Sequence, residues 1–237
     1  MRVMIMESTS NPLGIVYSAA RTCYSDGTPS KIHRDRGCSK KKKIALVDAV
    51  IKMGHHSVLE HVNVTFGLEG MSRACSHQLV RHRIASYSQQ SQRYVQFKDG
   101  SIDYVLPKSI KKDTGLEVDF IIFMKQATDF YQFLIDSGLP SEDARFALPN
   151  ACCTNITMTV NARELIEMCK LRMCTTAQWE IREMFWTISS LIKSHKHLSF
   201  LNPYLSPKCD WLDFCPEGAR CCGRHEVKET KNGKVTP

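Results

Sequence analysis

The sequence predicts an α+β fold, and three observations support this class. Residues 62–68 alternate apolar and polar side chains, which is typical of a strand with one buried face. Residues 116–136 and 176–195 instead repeat their apolar side chains at helical spacing. Strands and helices follow one another without the regular alternation that produces a parallel α/β sheet.

The first half of the chain predicts two strands and three helices. Residues 2–6 alternate weakly and predict a strand, and residues 11–24 predict a helix. Apolar residues from Leu46 to Met53 recur at helical intervals, and Gly54 ends that helix. The strand over 62–68 breaks at Gly70, and a helical pattern begins at Met71. On that helix Arg73, His77 and Arg81 are spaced four apart and share a face.

The second half is more helical and ends in an irregular tail. The helix over 116–136 stops at Gly138 and Pro140, and a short helix begins at Ser141. Residues 154–160 are rich in β-branched side chains and predict a strand. Asn161 and Glu164 resemble a capping box that opens the next helix. We divide the chain into one domain over 1–203 and an extension over 204–237, whose residues 226–237 we expect to be disordered.

Composition indicates a globular protein and leaves the ligand class open. The chain has 237 residues, of which 43% are hydrophobic and 24% charged, values that are ordinary for a protein with a sizeable core. No run approaches the roughly 18 apolar residues of a membrane helix, and the first residues lack a signal-peptide pattern. We therefore expect a cytoplasmic protein without a membrane partner. The net charge of +8 suits an anionic small substrate or a nucleic acid.

The cysteines favour free thiols. There are eleven, an odd number, and they include the adjacent pairs Cys152-Cys153 and Cys221-Cys222, which disulfide frameworks seldom use. The tail contains further residues of metal-ligating type, but no C-x-x-C pair is present. We expect no metal site in the protein. A structural metal in the tail stays open as an alternative. The tail residues concerned are Cys209, Cys215, Cys221, Cys222 and His225.

The stretch from Arg81 to Tyr94 predicts an anion-binding segment that follows a helix as a loop. It reads Arg-His-Arg-Ile-Ala-Ser-Tyr-Ser-Gln-Gln-Ser-Gln-Arg-Tyr, so guanidinium forks are mixed with hydroxyls and amides. Only Ile84 and Ala85 interrupt the polarity, which excludes a core strand. A solvated basic face is the plainer interpretation of such a run.

A second polar cluster, His55–His61, contains three histidines and one glutamate. These ligand types suit zinc, but no HExxH spacing occurs, and a hydrogen-bonded turn is the commoner structure.

The spacing Arg-His-Arg-x-x-Ser-x-x-x-x-Ser-x-Arg over residues 81–93 resembles the signature of the flavin-dependent thymidylate synthases. The resemblance extends over roughly residues 2–200, in the order that the family has. Its other segments are His55–His61, Asp143–Arg145, Leu148–Pro149, Asn161–Arg163, Leu171–Arg172 and Ala177–Glu180.

The resemblance implies a fold, an activity and a set of small-molecule partners. The fold would be a central, mostly antiparallel sheet flanked by helices, assembled as a homotetramer whose sites combine several subunits. The reaction would be the reductive methylation of dUMP to dTMP. FAD would be the cofactor, NADPH would reduce it, and 5,10-methylenetetrahydrofolate would supply the carbon.

The resemblance also assigns residues to dUMP. Arg93 and Arg145 would contact the phosphate, and Arg172 would face the uracil ring and hold negative charge that develops there. Arg172 and Ser91 are the catalytic candidates, although no base is evident beside Ser91 and a covalent protein adduct is not required. The predicted dUMP residues are Gln78, Arg81, Gln89, Gln90, Ser91, Gln92, Arg93, Arg145 and Arg172.

A second set is assigned to FAD. Glu167 departs from the family pattern, because relatives often carry histidine or an amide at that position. The predicted FAD residues are His55, Ser57, Glu60, Arg81, His82, Arg83, Ile84, Asn161, Arg163, Glu167 and Leu171.

Three alternatives carry less weight. A cysteine nucleophile needs an electropositive, partly exposed setting, yet Cys75 and Cys169 lie on apolar helix faces. Cys174, which is close to Arg172 in sequence, is the one thiol that stays a candidate. A nucleic-acid-binding module would interleave more aromatic residues with its basic ones. A zinc hydrolase on the His55–His61 segment lacks a recognised ligand spacing. We therefore expect no nucleic-acid partner.

Overall fold

The computed structural model describes residues 1–35, 37–96 and 102–228, and within them the α+β class is confirmed. The strands of its sheet are β1 (Arg2–Ser8), β2 (Asn63–Ser72), β3 (Ala85–Gln89) and β4 (Cys153–Asn161). The α-helices are α1 (Pro12–Thr22), α2 (Pro29–Arg34), α3 (Lys40–Lys52), α4 (Arg73–Leu79), α5 (Thr114–Asp136), α6 (Ser141–Ala144), α7 (Ala162–Arg172), α8 (Trp179–Ser194) and α9 (Lys208–Leu212). Short 3-10 helices cover His56–His61, Ile110–Lys112, Arg145–Ala147, Ser199–Tyr204 and Gly218–Arg220.

The sheet has the order β1-β2-β4-β3 and is antiparallel, as expected. Two contacts show the register of β2 against β4. The Thr65 and Thr159 hydroxyls are 2.9 Å apart, and the Gly70 N–H donates to the Asn155 side-chain oxygen at 3.0 Å. Between these two contacts the residue numbers rise along β2 and fall along β4, so the two strands are antiparallel. The predicted half-buried strand is the central β2, and Val64, Phe66 and Leu68 are fully buried.

The predicted loop over the anion-binding segment is wrong for residues 85–89. These residues form β3, at one edge of the sheet, with alternating half-buried and exposed positions. An edge strand needs only one ladder of backbone partners, so a polar run can form one while its other edge remains solvated. The backbone N–H of Gln90 continues this pairing by donating to the Asn155 carbonyl at 2.9 Å.

Most helix boundaries agree with the sequence patterns. Gly54 ends α3 with a φ of +83°, a conformation that glycine adopts without strain. Asn161 caps α7, because its side-chain oxygen accepts the Glu164 N–H at 2.9 Å. The last long helix starts later than predicted, since the Gln178 side chain accepts the N–H groups of Glu180 and Ile181 and so forms the cap. The short α2 and α9 were not predicted, and most of the expected disordered end, residues 229–237, lies outside the described residues.

The chain separates into two compact units. The first contains Met1–Arg2, Gly67–Arg81 and Tyr87–Met158, and its core includes Met124, Tyr131 and Cys152. The second contains Val3–Phe66, His82–Ser86 and Thr159–Pro237. Its buried residues include Phe66, Leu165, Met168, Phe185 and Ile188. The prediction of a single domain over 1–203 stays a prediction.

Burial of Phe66 generates a stability prediction. Phe66 is 0% exposed on the central strand, so Phe66→Ala should lower the free energy of unfolding by about 3–5 kcal/mol. Phe146→Ala is the control, because Phe146 is 85% exposed and should change it by less than about 0.5 kcal/mol. Urea unfolding of both variants measures the difference. Equal losses would show that Phe66 is not in the core.

Candidate active site

A cavity in the second unit collects the predicted flavin residues. It has a volume of about 310 Å³ and lies against the start of α7. Five of its six lining residues, Glu60, Ile84, Asn161, Arg163 and Glu167, belong to the predicted FAD set, and the sixth is Glu164. These residues come from three separate segments of the chain, so their convergence was not visible as a local motif.

The polar groups of this cavity are held by ion pairs. Arg163 donates to the carboxylate of Glu60, which lies in the 3-10 helix His56–His61. Glu167 pairs with Lys170 one turn further along α7, at 2.7 Å. Because both partners of the Arg163–Glu60 pair are about half exposed, the pair orients the guanidinium more than it stabilises the fold.

The donor set of the cavity fits the uncharged parts of a flavin cofactor. Carboxylates accept hydrogen bonds from ribose hydroxyls or ring N–H groups, whereas Arg163 and the Asn161 amide can donate. Ile84 adds an exposed apolar surface on which a ring can pack. Three carboxylates line the same space, so a pyrophosphate would need a cation from outside it, such as Arg83, whose side chain is exposed.

Beside this cavity, His82 is buried between two residues of α7. Its side chain is only 9% exposed. The Arg172 Nε donates to His82 Nε2 at 3.0 Å, and His82 Nδ1 lies 3.4 Å from a Glu164 carboxylate oxygen. The two α7 residues are eight positions apart, or roughly 12 Å along the helix axis, and the imidazole links them.

His82 is neutral, with its proton on Nδ1. A guanidinium can only donate hydrogen bonds, so Nε2 must be the acceptor. Burial lowers the pKa of His82 to about 4, and the positive charge of Arg172 acts in the same direction. Burial also raises the pKa of Glu164, with Glu167 adding to the effect and Arg163 opposing it. The protonated Nδ1 therefore lies on the side of the ring that faces the Glu164 carboxylate, at 3.4 Å.

Glu164 is the residue that the sequence analysis missed as a functional candidate. Its position three residues after Asn161 indicated a capping role, and its side chain instead faces both His82 and the cavity. The helical spacing contained a signal for this role, since Glu164 shares a face of α7 with Glu167 and Leu171, which belong to the predicted FAD set.

In the first unit, the two predicted phosphate contacts meet at Glu142. Arg93 binds the Glu142 carboxylate at 2.8 Å, and Arg145 Nε donates to the Glu142 carbonyl oxygen at 3.0 Å. Burial lowers the pKa of Arg73, and the nearby charge of Arg145 lowers it further. Two guanidinium groups this close attract an anion, so Arg73 joins the candidate phosphate contacts.

The glutamines of the motif hold the edge of the sheet. The Gln89 side-chain nitrogen donates to the Ser76 and Thr154 hydroxyls at 3.1 and 3.2 Å. The Gln90 side-chain oxygen accepts from Asn155 at 2.9 Å. The Ser91 hydroxyl oxygen accepts the Arg93 N–H at 3.1 Å, and in the described ranges no histidine or carboxylate hydrogen bonds to it. A role for these side chains toward dUMP stays a prediction.

Comparison with known proteins identifies the family. A model of the thymidylate synthase complementing protein family matches residues 4–195. A flavin-dependent thymidylate synthase from Geobacter sulfurreducens is 44% identical over 229 residues, which cover 96% of this chain and 97% of that protein. The chain belongs to the family of flavin-dependent thymidylate synthases. Another member, from Clostridium tetani, is 41% identical over 94% of this chain and 93% of its own length.

A solved structure of a family member agrees with the fold. The flavin-dependent thymidylate synthase ThyX from Helicobacter pylori, complexed with FAD and dUMP, superposes with a TM-score of 0.69. The superposition covers 87% of this chain and 100% of the Helicobacter pylori chain. The sequence identity is 22%, so the comparison supports the architecture alone. None of the helices described here combines the length and apolarity that a bilayer crossing requires.

The remaining predicted residues of the site lie at the surface. His55 and Ser57 begin the 3-10 helix His56–His61, and their side chains are exposed, as is Leu171. Gln78 is half-buried on α4, and Gln92 lies in a half-buried turn after β3. Within the described part of the chain, the His55–His61 segment does not form a metal-ligand group, because Glu60 turns to Arg163.

The structure gives no support to Cys75 or Cys169 as a nucleophile. Cys75 and Cys169 are fully buried, and burial raises the pKa of Cys169 far above its ordinary value. Burial likewise raises the pKa of Cys152 to about 11. A thiol of this kind holds its proton at neutral pH and is a poor nucleophile.

Neutral His82 generates a pH prediction. The unfolded imidazole takes up a proton near pH 6.5, whereas the folded one stays neutral until about pH 4, so the stability that His82 contributes is lost as the pH falls through this window. From pH 7 to pH 4.5, the free energy of unfolding of the protein with His82 should fall by at least about 1.4 kcal/mol more than that of the His82→Gln variant.

Urea unfolding of His82→Gln measures this difference. Both proteins should carry Glu164→Gln, because the raised pKa of Glu164 acts in the opposite direction. Parallel pH profiles would contradict a neutral His82.

Proposed function

We propose that the chain converts dUMP to dTMP by reductive methylation, with FAD as cofactor and with NADPH and 5,10-methylenetetrahydrofolate as co-substrates. Membership in the family supports the activity. The observation that carries the proposal is the single cavity lined by the residues that the resemblance assigned to FAD.

In this mechanism bound FAD supplies the hydride, and the protein supplies position and charge. Arg172 polarises the uracil ring and stabilises negative charge that develops on it. The hydrogen bond to His82 fixes the plane of the Arg172 guanidinium before substrate binds. Because His82 is neutral, it orients the arginine without adding a second positive charge or neutralising the first.

The phosphate of dUMP is held by the arginines of the first unit. Arg93 and Arg145 present guanidinium forks, and Arg73 adds a third cation near Arg145. Glu142 orients Arg93 until the phosphate competes for it. In the proposed homotetramer each site combines residues of several subunits, so Arg172 and these arginines can come from different chains.

The assay that tests this function uses the FAD-loaded chain under anaerobic conditions. NADPH oxidation is followed with and without dUMP, and dTMP is measured by chromatography after methylenetetrahydrofolate is added. We expect oxidation that dUMP stimulates, together with dTMP formation. A chain that binds FAD and makes no dTMP would contradict the proposal.

Arg172 carries the largest predicted effect. Arg172→Ala removes a charge-assisted hydrogen bond worth about 1.5–3 kcal/mol, so kcat should fall by more than tenfold. The matched control is Lys125→Ala, which removes a surface cation paired with Asp129 and should leave kcat unchanged. Near-normal turnover of Arg172→Ala would exclude the proposed role.

Arg163 is predicted to bind FAD. Arg163→Ala should raise the Kd for FAD by roughly 10- to 100-fold, because it removes the guanidinium of the cavity and leaves Glu60 unpaired. Flavin fluorescence titration measures the Kd. Arg2→Ala is the control, since Arg2 is an exposed cation that pairs with Glu69 and does not line the cavity. An unchanged Kd would remove Arg163 from the cofactor site.

An exposed apolar face supports the homotetramer. Large apolar side chains of α5 remain half exposed or more, including Phe123, Phe130 and Phe133, of which Phe133 is 61% exposed. Such a face is typical of a surface that another subunit covers. Phe133→Glu should lower the mass measured by light scattering, whereas Gln132→Glu, which adds the same charge at a polar position, should not. An unchanged mass for Phe133→Glu would place the interface elsewhere.

Three further expectations stay predictions. They are the cytoplasmic location, the absence of a nucleic-acid partner, and the division into a domain over 1–203 and an extension over 204–237.

A further inference from the structure

A second cavity, beside the end of α7, is lined by cysteines. It has a volume of about 330 Å³ and lies within the second unit. Cys174, from the turn after α7, lines it together with Cys209, Cys215 and Cys222 from the tail. The tail thiols are separated from Cys174 by more than thirty residues of sequence, so the fold brings them together.

Three of these thiols, Cys174, Cys209 and Cys215, interact with one another and with Cys221, the neighbour of Cys222 in sequence. Burial raises the pKa of Cys209, Asp210 adds to the shift, and the thiols of Cys174 and Cys215 are near enough to contribute. At Cys215 a backbone hydrogen bond from Glu217 lowers the pKa, but burial, a hydrogen bond with Cys221 and the nearby Cys174 together raise it. All four cysteines are free rather than paired in disulfides.

Polar hydrogens point at the sulfurs of this cluster. The Thr176 hydroxyl donates to Cys174 Sγ at 3.2 Å, and the Gly223 N–H donates to Cys221 Sγ at 3.3 Å. With the backbone contact from Glu217 to Cys215, each of these three donors lies two residues after its cysteine. Donors of this kind stabilise thiolates and orient them as metal ligands.

The charge around the cluster suits a group of thiolates. Five cations line the cavity and can offset the negative charge that thiolate ligands bring. They are Lys170, Arg182, Lys208, Arg220 and Arg224.

A competing ligand set in the same region is already satisfied. Ligand atoms of Cys209, Asp210 and His225 lie within 4.8 Å of one another. However, both Asp210 oxygens accept from Arg224, at 2.6 and 2.7 Å, and His225 lies 2.8 Å from one of them. Asp210 therefore anchors the loop that carries Cys221, and the thiols are the better ligands.

We propose that Cys174, Cys209, Cys215 and Cys221 bind a thiophilic metal centre. Thiolates select zinc or an iron–sulfur cluster over harder cations. In the described ranges, no three of these sulfurs lie within 4.8 Å of one another. Closing a single-zinc site would therefore require the thiols to approach one another, whereas an iron–sulfur cluster holds its thiolates farther apart. The expectation of free thiols in the tail is thereby replaced.

The metal centre would fasten the tail to the turn that follows α7. Cys174 lies two residues after Arg172, so the centre would restrain the end of the helix that carries the proposed catalytic arginine. The inference does not depend on the proposed activity.

Metal analysis of the full chain tests the proposal. The protein is purified anaerobically from cells supplied with iron and zinc. The contents of zinc, iron and acid-labile sulfide are then measured per chain. Bound flavin contributes to none of these three quantities. We expect either about four irons with matching sulfide or about one zinc. The first result identifies a cluster and the second a single ion.

Two variants and one control locate the ligands. Cys209→Ser and Cys215→Ser should lose most of the metal, whereas Cys23→Ser, which changes an exposed thiol on another segment, should keep it. A wild-type chain with neither metal, or unchanged metal in both tail variants, would overturn the proposal.

Alkylation of the unaltered chain covers the case in which the variants do not fold. Thiols are alkylated before and after the metal is removed, and the modified peptides are mapped by mass spectrometry. Protection that is lost on metal removal should map to the four proposed ligands. Protection at other cysteines, or at none, would contradict the site.

Discussion

The arrangement of the site depends on the hydrogen bond between Arg172 and a buried, neutral His82. A guanidinium has no acceptor, so the bond exists only while His82 Nε2 lacks a proton. Burial maintains that state by lowering the pKa of the imidazole, and the Glu164 carboxylate lies 3.4 Å from Nδ1 on the other side of the ring. One side chain from the motif thus connects both ends of α7. It sets the orientation of the arginine that the proposed chemistry requires.

Helix α7 links the features of the second unit. Its cap, Asn161, and its first turns line the cavity proposed for FAD, its last residue is Arg172, and the turn beyond it presents Cys174 to the tail cysteines. A shift of this helix would therefore change cofactor binding, substrate polarisation and the thiol cluster together. The first unit holds the proposed phosphate contacts, where Arg93 and Arg145 meet at Glu142.

Periodicity predicted the elements whose apolar side chains face a core, such as β2 and α5, because burial imposes a regular spacing on sequence. It did not predict β3, whose stability comes from backbone pairing at a sheet edge and leaves no apolar pattern. Resemblance selected most residues of the flavin cavity, but not Glu164, whose spacing from Asn161 indicated a cap. The tail cysteines were recognised from the sequence as residues of metal-ligating type, but their proximity to Cys174 was not, because these thiols have no characteristic local spacing and meet only through the packing of the tail beside the end of α7.

The protonation state of His82 is the most direct test of this account. Nitrogen NMR of the chain labelled with ¹⁵N-histidine reports each ring nitrogen separately, and His82→Gln assigns the signal. At pH 7 we expect a protonated Nδ1 and an unprotonated Nε2. Protons on both nitrogens, or on Nε2 alone, would contradict it, because Arg172 would then have no acceptor at His82.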